Sequence, residues 1–213
     1  MPYQYLLFDA DNTLLDFAMA EYVSFREMCA VLGIHWTEEA YRVYSEINDA
    51  FWKRLEKGEI TASVLRVKRF EVFLEWEGLQ REKTAVGPEL PARMNKIYME
   101  NVQRQSFLMP RAKEVCGALA QKYPLYIVTN GLAKAQRSRL ADAGLDIYFR
   151  KLYISEEIGS SKPATDFFAA VMQDIGDPDP SHYLVIGDSL TSDIDGASGA
   201  GMDSVWLCEE GAD

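Results

Sequence analysis

Five short apolar runs, set apart by stretches of helical pattern, constrain this chain's fold more than any other feature. They occupy residues 5–8, 125–128, 152–154, 183–186 and 204–207. Each is rich in Val, Ile, Leu or Tyr and is apolar throughout rather than alternating. Strands of a parallel sheet buried on both faces have this character. Between the later runs lie helical patterns at 111–122, with Pro110 as a start signal, and at 134–143, 165–175 and 192–200, stopped by Gly144, Gly176 and Gly201. Strand and helix in alternation predict an α/β fold: a doubly wound, Rossmann-like parallel sheet with right-handed crossovers.

The stretch from residue 17 to 104 breaks this alternation. It carries no strand pattern and reads as four helices, at 20–32, 38–57, 62–77 and 89–103, with stops at Gly33, Gly58 and Gly78. Thr37, followed by Glu38 and Glu39, suits an N-cap with an acidic first turn, and Thr61 suits another. The expected organisation is therefore a core of residues 1–16 and 105–213 with a helical domain, 17–104, inserted after the first strand. The aromatics Tyr22, Phe25, Phe51, Trp52, Phe70, Phe73 and Trp76 recur near helical spacing and are expected to form that domain's interior. Phe17, just beyond the first loop, is expected instead to form an apolar wall at the site.

Composition narrows the function classes. The chain has 213 residues, 48% hydrophobic and 26% charged, with a formal net charge of −11. That is globular composition, and the negative balance argues against nucleic-acid polymers or anionic lipid as partners. The three cysteines, Cys29, Cys116 and Cys208, are widely spaced and form no CxxC pair, so reduced thiols are expected. With no basic leader and no apolar run near ~18 residues, the expectation is a cytoplasmic protein. His35 and His182 are the only histidines, and neither lies in a motif, which gives no support to a Ser-His-Asp or His-rich metal site. There is no GxxxxGK[ST] loop and no GxGxxG after a strand.

Polar residues at strand C-termini are where an open α/β sheet binds ligands. The first run ends in Asp9-Ala10-Asp11-Asn12-Thr13-Leu14. A short acidic turn is common on its own, but a carboxylate fixed at a strand end can attack phosphorus, and a second acid two residues on can handle the leaving-group proton. The second run ends in Thr129-Asn130-Gly131, where a hydroxyl and backbone N–H groups before a helix suit phosphate oxygens. Ser160-Ser161-Lys162-Pro163 offers a fixed positive charge that would hold Asp9 ionised and offset transition-state charge. Gly187-Asp188-Ser189-Leu190-Thr191-Ser192-Asp193 offers carboxylates for a hard oxygen site of the kind Mg²⁺ prefers.

Taken together, Asp9-x-Asp11-x-Thr13, Thr129, Lys162-Pro163 and Gly187-Asp188-x₄-Asp193 resemble the four motifs of the haloacid dehalogenase (HAD) superfamily of phosphatases, in the family's order. The resemblance covers essentially the whole chain, and it makes residues 17–104 a helical cap domain on a HAD-like core. It implies that Asp9 is the nucleophile and forms an aspartyl-phosphate. Asp11 is then general acid and afterwards general base. Thr129, Asn130, Gly131 and Lys162 hold the phosphoryl group. Asp9 and Asp188 ligate Mg²⁺ by side chain, joined by Asp11 through its backbone carbonyl, and Asp193 supports the metal through water. An acid at position 11 also sets the chain apart from true dehalogenases. Phe17, Trp52, Gly58-Glu59-Ile60-Thr61, Arg69-Phe70, Ile127-Val128-Thr129-Asn130-Gly131 and Ile154-Ser155-Glu156-Glu157-Ile158-Gly159 further resemble the YjjG-type pyrimidine 5′-nucleotidases. That likeness implies a nucleoside monophosphate substrate and a monomer or homodimer. Relatives of this type usually continue past the fifth strand with another short segment, a departure that lies away from the four motifs.

Two other readings share these residues: a phosphatase or phosphomutase for another small metabolite such as a sugar phosphate, and a non-catalytic protein that binds phosphometabolites. The complete set Asp9, Asp11, Lys162 and Asp188 speaks against the last. Charge sharpens the choice. Residues 17–104 carry a net −1 and the remainder a net −10. An acidic core would repel a phosphate unless a metal ion and Lys162 reverse the local field.

Overall fold

The computed structural model describes residues 3–80 and 89–208. Among these, a five-stranded parallel sheet runs in the order β3-β2-β1-β4-β5. Its strands are β1 (Tyr5–Phe8), β2 (Leu125–Thr129), β3 (Phe149–Ile154), β4 (Tyr183–Gly187) and β5 (Asp203–Trp206). The order reverses at β1, which pairs with β2 on one side and β4 on the other. The carboxyl ends of these three strands therefore meet at the topological switch point of the sheet.

Successive residues of β1 point to opposite faces and feed two cores. Leu6 and Phe8 pack with Leu125 and Ile127 against α5 (Ala112–Ala120) and α6 (Ala133–Asp142). Leu7 packs with Tyr126, Val128, Tyr183 and Val185 against α8 (Thr165–Ile175) and α9 (Asp195–Gly199). Both faces of the central strands are covered, which is why their sequence is apolar without alternation. A short helix, α7 (Ser155–Ile158), follows β3 directly.

Two strands differ from the sequence reading. β3 starts at Phe149, three residues before the expected run, because it is an edge strand whose Arg150 and Lys151 are exposed. β5 is the opposite edge, and Val205 and Trp206 are exposed rather than buried. The expected helix at 192–200 divides into a π-helical turn, Leu190–Ile194, and α9.

The described chain separates into two compact units, Met1–Ala18 with Ser106–Asp213, and Met19–Gln105. The second is built from α1 (Phe17–Leu32), α2 (Glu38–Glu56), α3 (Ala62–Gln80) and α4 (Leu90–Val102). Thr37 caps α2 by accepting from the Ala40 N–H at 3.0 Å. Gly78 does not stop α3, which continues to Gln80. Gly33 and Gly58, which follow α1 and α2, take the left-handed φ of a helix terminator, whereas Gly78 does not. The interior of this unit is an aromatic stack: Phe25 on Tyr44 at 4.4 Å, Tyr44 on Phe70 at 5.3 Å, and Phe73 edge-on to Phe25 at 5.1 Å. Tyr22, Trp52 and Trp76 are only half-buried. Threaded through the stack is a polar chain in which Asn48 donates to Glu21 and accepts from Arg69, which also donates to Asn95. Burial raises the Glu21 carboxyl above its ordinary pKa.

Cys29, Cys116 and Cys208 are free thiols. No helix among the described residues is long and apolar enough to cross a membrane. Leu7 is fully buried on the central strand directly before the first motif. Leu7→Ala is expected to lower stability by about 2–5 kcal/mol. A urea titration followed by circular dichroism measures this, and an unchanged midpoint would show that the β1 contacts contribute little.

Candidate active site

The four motifs converge where β1, β2 and β4 end. Asp9 follows β1, with its N–H donating to the Ile186 carbonyl of β4 at 2.8 Å. The next turn folds tightly, because the N–H groups of Leu14 and Leu15 both donate to the Ala10 carbonyl. Asn12 adopts a left-handed φ of 55°, which Asn tolerates better than most residues. Its Oδ1 accepts from the N–H groups of Phe17 and Ala18, each at 3.1 Å, capping α1 and tying the loop to the helix start. Thr13 donates from its hydroxyl to Asp188 Oδ1 at 3.4 Å, linking the first motif to the last.

Lys162 is the hub. Its side chain is 1% exposed. Its ammonium donates to Asp9 Oδ1 at 2.6 Å, Asp193 Oδ1 at 2.5 Å and the Val128 carbonyl at 2.9 Å. These three bonds use all three N–H donors. Burial alone would push the ammonium pKa down, but the carboxylates of Asp193 and Asp9 outweigh it and hold the pKa above its ordinary value. Asp9 is pushed up, first by burial and then by the charges of Asp193, Asp188 and Asp11, with Lys162 opposing. Asp188 rises to about 6 through burial and the Asp193 charge.

Asn130 explains how Lys162 reaches this position. Its amide pairs with the Lys162 backbone twice, donating to the carbonyl and accepting from the N–H, each at 2.9 Å. The Asn130 side chain is thus spent on Lys162. The Lys162–Pro163 peptide is cis. Thr129 Oγ1 accepts from the Gly131 N–H and from Gln136 Nε2, both at 3.0 Å. With both acceptor positions filled, the hydroxyl proton remains to be donated.

Two glycines are required by close approach. A Cβ on Gly131 would fall inside the Gln136 side chain, and one on Gly187 inside the Asp193 carboxylate. Asp193 is therefore seated against the end of β4, where it also accepts from the Ser189 N–H at 3.1 Å. Trp206 Nε1 donates to the Asp188 carbonyl at 2.8 Å, anchoring that loop to β5.

Asp9, Asp188 and Asp193 each bring a carboxylate oxygen within 4.8 Å of the other two. Such clustered hard oxygen donors suit a divalent cation such as Mg²⁺. The Asp11 carboxylate stands apart from this group. It accepts from Arg139 Nη1 at Oδ1 and from Gln136 Nε2 at Oδ2, each at 2.5 Å. Arg139 and Gln136 are both 1% exposed and lie outside the four motifs. Phe17 stacks under the Arg139 guanidinium, 5.4 Å from its central carbon. The sequence did hold a signal for this pair. Ala135, Leu140 and Ala143 mark a buried stripe along 133–143, and Gln136 and Arg139 fall on it as polar residues among apolar ones.

Glu156, in the segment after β3, accepts from the Ala133 N–H at the start of α6, and Glu157 pairs with Arg137 at 2.8 Å. This accounts for part of the Ile154–Gly159 stretch as a brace for α6 rather than a contact to ligand.

The family model for haloacid dehalogenase-like hydrolases matches residues 3–201. The chain is 34% identical to the pyrimidine 5′-nucleotidase PynA of Streptococcus pneumoniae, covering 97% of this chain and 84% of that one. It is 30% identical to the pyrimidine 5′-nucleotidase YjjG of Escherichia coli, covering 97% and 87%. The magnesium-bound crystal structure of the HAD-hydrolase YfnB from Bacillus subtilis superposes with a TM-score of 0.89 at 34% identity, covering 97% and 89%.

Gly187→Ala tests whether the seat of Asp193 matters. The variant is expected to fold but to displace Asp193 and so release Lys162, lowering turnover by about 10²-fold. Steady-state rates beside a circular dichroism spectrum check this, and native turnover in a folded variant would contradict it.

Proposed function

The chain belongs to the haloacid dehalogenase-like hydrolases, and we propose that it is a cytoplasmic, magnesium-dependent phosphatase acting on nucleoside 5′-monophosphates, pyrimidine ones foremost. The observation that carries the chemistry is the Asp9 carboxylate at the end of β1, fixed by the buried Lys162 ammonium at 2.6 Å. A carboxylate held rigidly and paired with one cation is oriented for attack along a single line.

The mechanism follows from these placements. An Asp9 oxygen attacks phosphorus while the bond from phosphorus to the ester oxygen breaks. Asp11 gives its proton to the departing oxygen. Asp11 then takes a proton from water as the water attacks the aspartyl-phosphate, and inorganic phosphate leaves with the Asp9 carboxylate restored. The Thr129 hydroxyl and the Asn130 N–H are the donors for the phosphoryl oxygens. With its N–H donors already used, Lys162 acts on phosphate through its charge. Asp9, Asp188 and Asp193, with the Asp11 carbonyl, would hold Mg²⁺, which when bound would supply positive charge for a phosphate in an acidic site. The fit is electrostatic as well as chemical: with all four carboxylates ionised they face the two cations Lys162 and Arg139, and a divalent ion would balance them.

The helical unit serves as the cap domain in this reading. The nucleotide preference rests on likeness to two pyrimidine 5′-nucleotidases along 97% of this chain. A phosphate-release panel with Mg²⁺ tests it. Turnover of dUMP and UMP should exceed that of sugar phosphates by at least about tenfold, a preference worth ~1.4 kcal/mol. Preference for a sugar phosphate, or its isomerisation, would favour the phosphatase or phosphomutase alternative.

Two further outcomes bear on the chemistry. Asp9→Asn should lower turnover by more than about 10³-fold without changing the fold, and full activity would refute the mechanism. Excess EDTA should abolish activity and added Mg²⁺ restore it, so substantial activity in EDTA would remove the metal from the account.

A further inference from the structure

The Asp11 carboxylate is gripped at both oxygens by two buried side chains that no motif contains. Arg139 and Gln136 stand three residues apart on α6 and so project from one face of it. Arg139 Nη1 takes Asp11 Oδ1, Gln136 Nε2 takes Asp11 Oδ2, and Arg139 Nη1 also reaches Gln136 Oε1 at 3.5 Å. The same Gln136 Nε2 donates to Thr129 Oγ1. One amide group thus joins the proton-handling carboxylate to the phosphate-binding hydroxyl.

From this juxtaposition we infer that Arg139 and Gln136 are positioning residues that fix the plane of the Asp11 carboxylate and lock it in register with Thr129. The inference rests on the phosphatase reading and adds to it what holds the acid in place. Asp11 needs such a hold. Its side chain remains 27% exposed on a loop, whereas Asp9 is held by Lys162. A carboxylate carries about four lone-pair sites. One donor on each oxygen fixes the plane and leaves a lone pair on each for proton transfer. The clamp orients Asp11 without consuming it.

The burial of Arg139 supports a positional role. A buried ion pair recovers little more than its own desolvation cost, and well-packed apolar side chains often replace one without loss of stability. Fixed geometry is a better reason for placing a guanidinium here. That guanidinium also lies over the Phe17 ring, 5.4 Å from its centroid. The helix that carries it is braced by the Glu156 contact to the Ala133 N–H and by the close seat of Gln136 on Gly131.

A double-mutant cycle separates this role from a structural one. Arg139→Met and Arg139→Lys are made in the native chain and in Asp11→Asn, and kcat and KM are measured with dUMP and with p-nitrophenyl phosphate. In the native background, Arg139→Met should lower kcat by about 10²-fold with KM changed less than about threefold. Arg139→Lys, which keeps a donor and the charge, should recover part of that loss. In Asp11→Asn the same substitutions should change the residual rate by less than about threefold, because the group they orient is already disabled. Equal losses in both backgrounds would overturn the inference, as would native kcat in Arg139→Met. If Arg139→Met fails to fold, Arg139→Gln, which removes the charge but keeps a polar side chain, is put through the same cycle with the same outcomes. Failure of the phosphatase reading is distinguishable: no phosphate release by the native chain with Mg²⁺ and any phosphomonoester defeats that reading, and full activity of Asp9→Asn defeats its mechanism, whereas an inactive Asp9→Asn with uncoupled Arg139 defeats only the positioning role.

Discussion

A single buried ammonium organises this molecule's site. Lys162 is surrounded by Asp9, Asp193 and the Val128 carbonyl, with all three N–H donors engaged. Removing such a charge from water is costly, and only near-ideal geometry and full hydrogen bonding offset it. The surrounding structure supplies both. Asn130 clasps the Lys162 backbone, Gly187 leaves room for Asp193, and the Ser189 N–H holds the second oxygen of that carboxylate. Loss of any one would leave a buried charge mispaired.

That arrangement depends on the order of the sheet. β1 lies between β2 and β4, so residues far apart in sequence are delivered to adjacent strand ends: Asp9 from β1, Thr129 from β2, and Asp188 from the loop after β4. Lys162, from the segment between β3 and α8, closes the set. The acidic balance of the chain, −11 overall, has a local counterpart at this place. Four carboxylates around one lysine and one arginine form a field hostile to a free phosphate and well suited to one accompanied by a divalent cation.

Much of this was legible in the sequence because it is written in strand ends. A charged residue directly after a run such as Tyr5–Phe8 can only lie at the carboxyl end of a buried strand. The four motifs were therefore readable, as were the helical breaks at Gly33 and Gly58. What was not legible depends on juxtaposition across the fold. That Asn130 would serve Lys162 through its side chain, 32 residues away, follows from no local pattern. Trp206 bonding the Asp188 carbonyl requires β5 to lie beside β4. Gln136 and Arg139 belong to no motif, and only their place on the buried stripe of α6 marks them out. The extent of β3 was missed because an edge strand tolerates Arg150 and Lys151 facing water.

The central claim is that the Asp9 carboxylate, held by Lys162, becomes covalently phosphorylated during turnover. Rapid acid quench of the enzyme turning over a phosphomonoester, followed by peptide mass spectrometry, addresses it directly. A phosphoryl group on Asp9 that decays at the rate at which inorganic phosphate appears is the expected result. Phosphate release with no phosphorylated residue at any quench time, or with the group on another side chain, would contradict it.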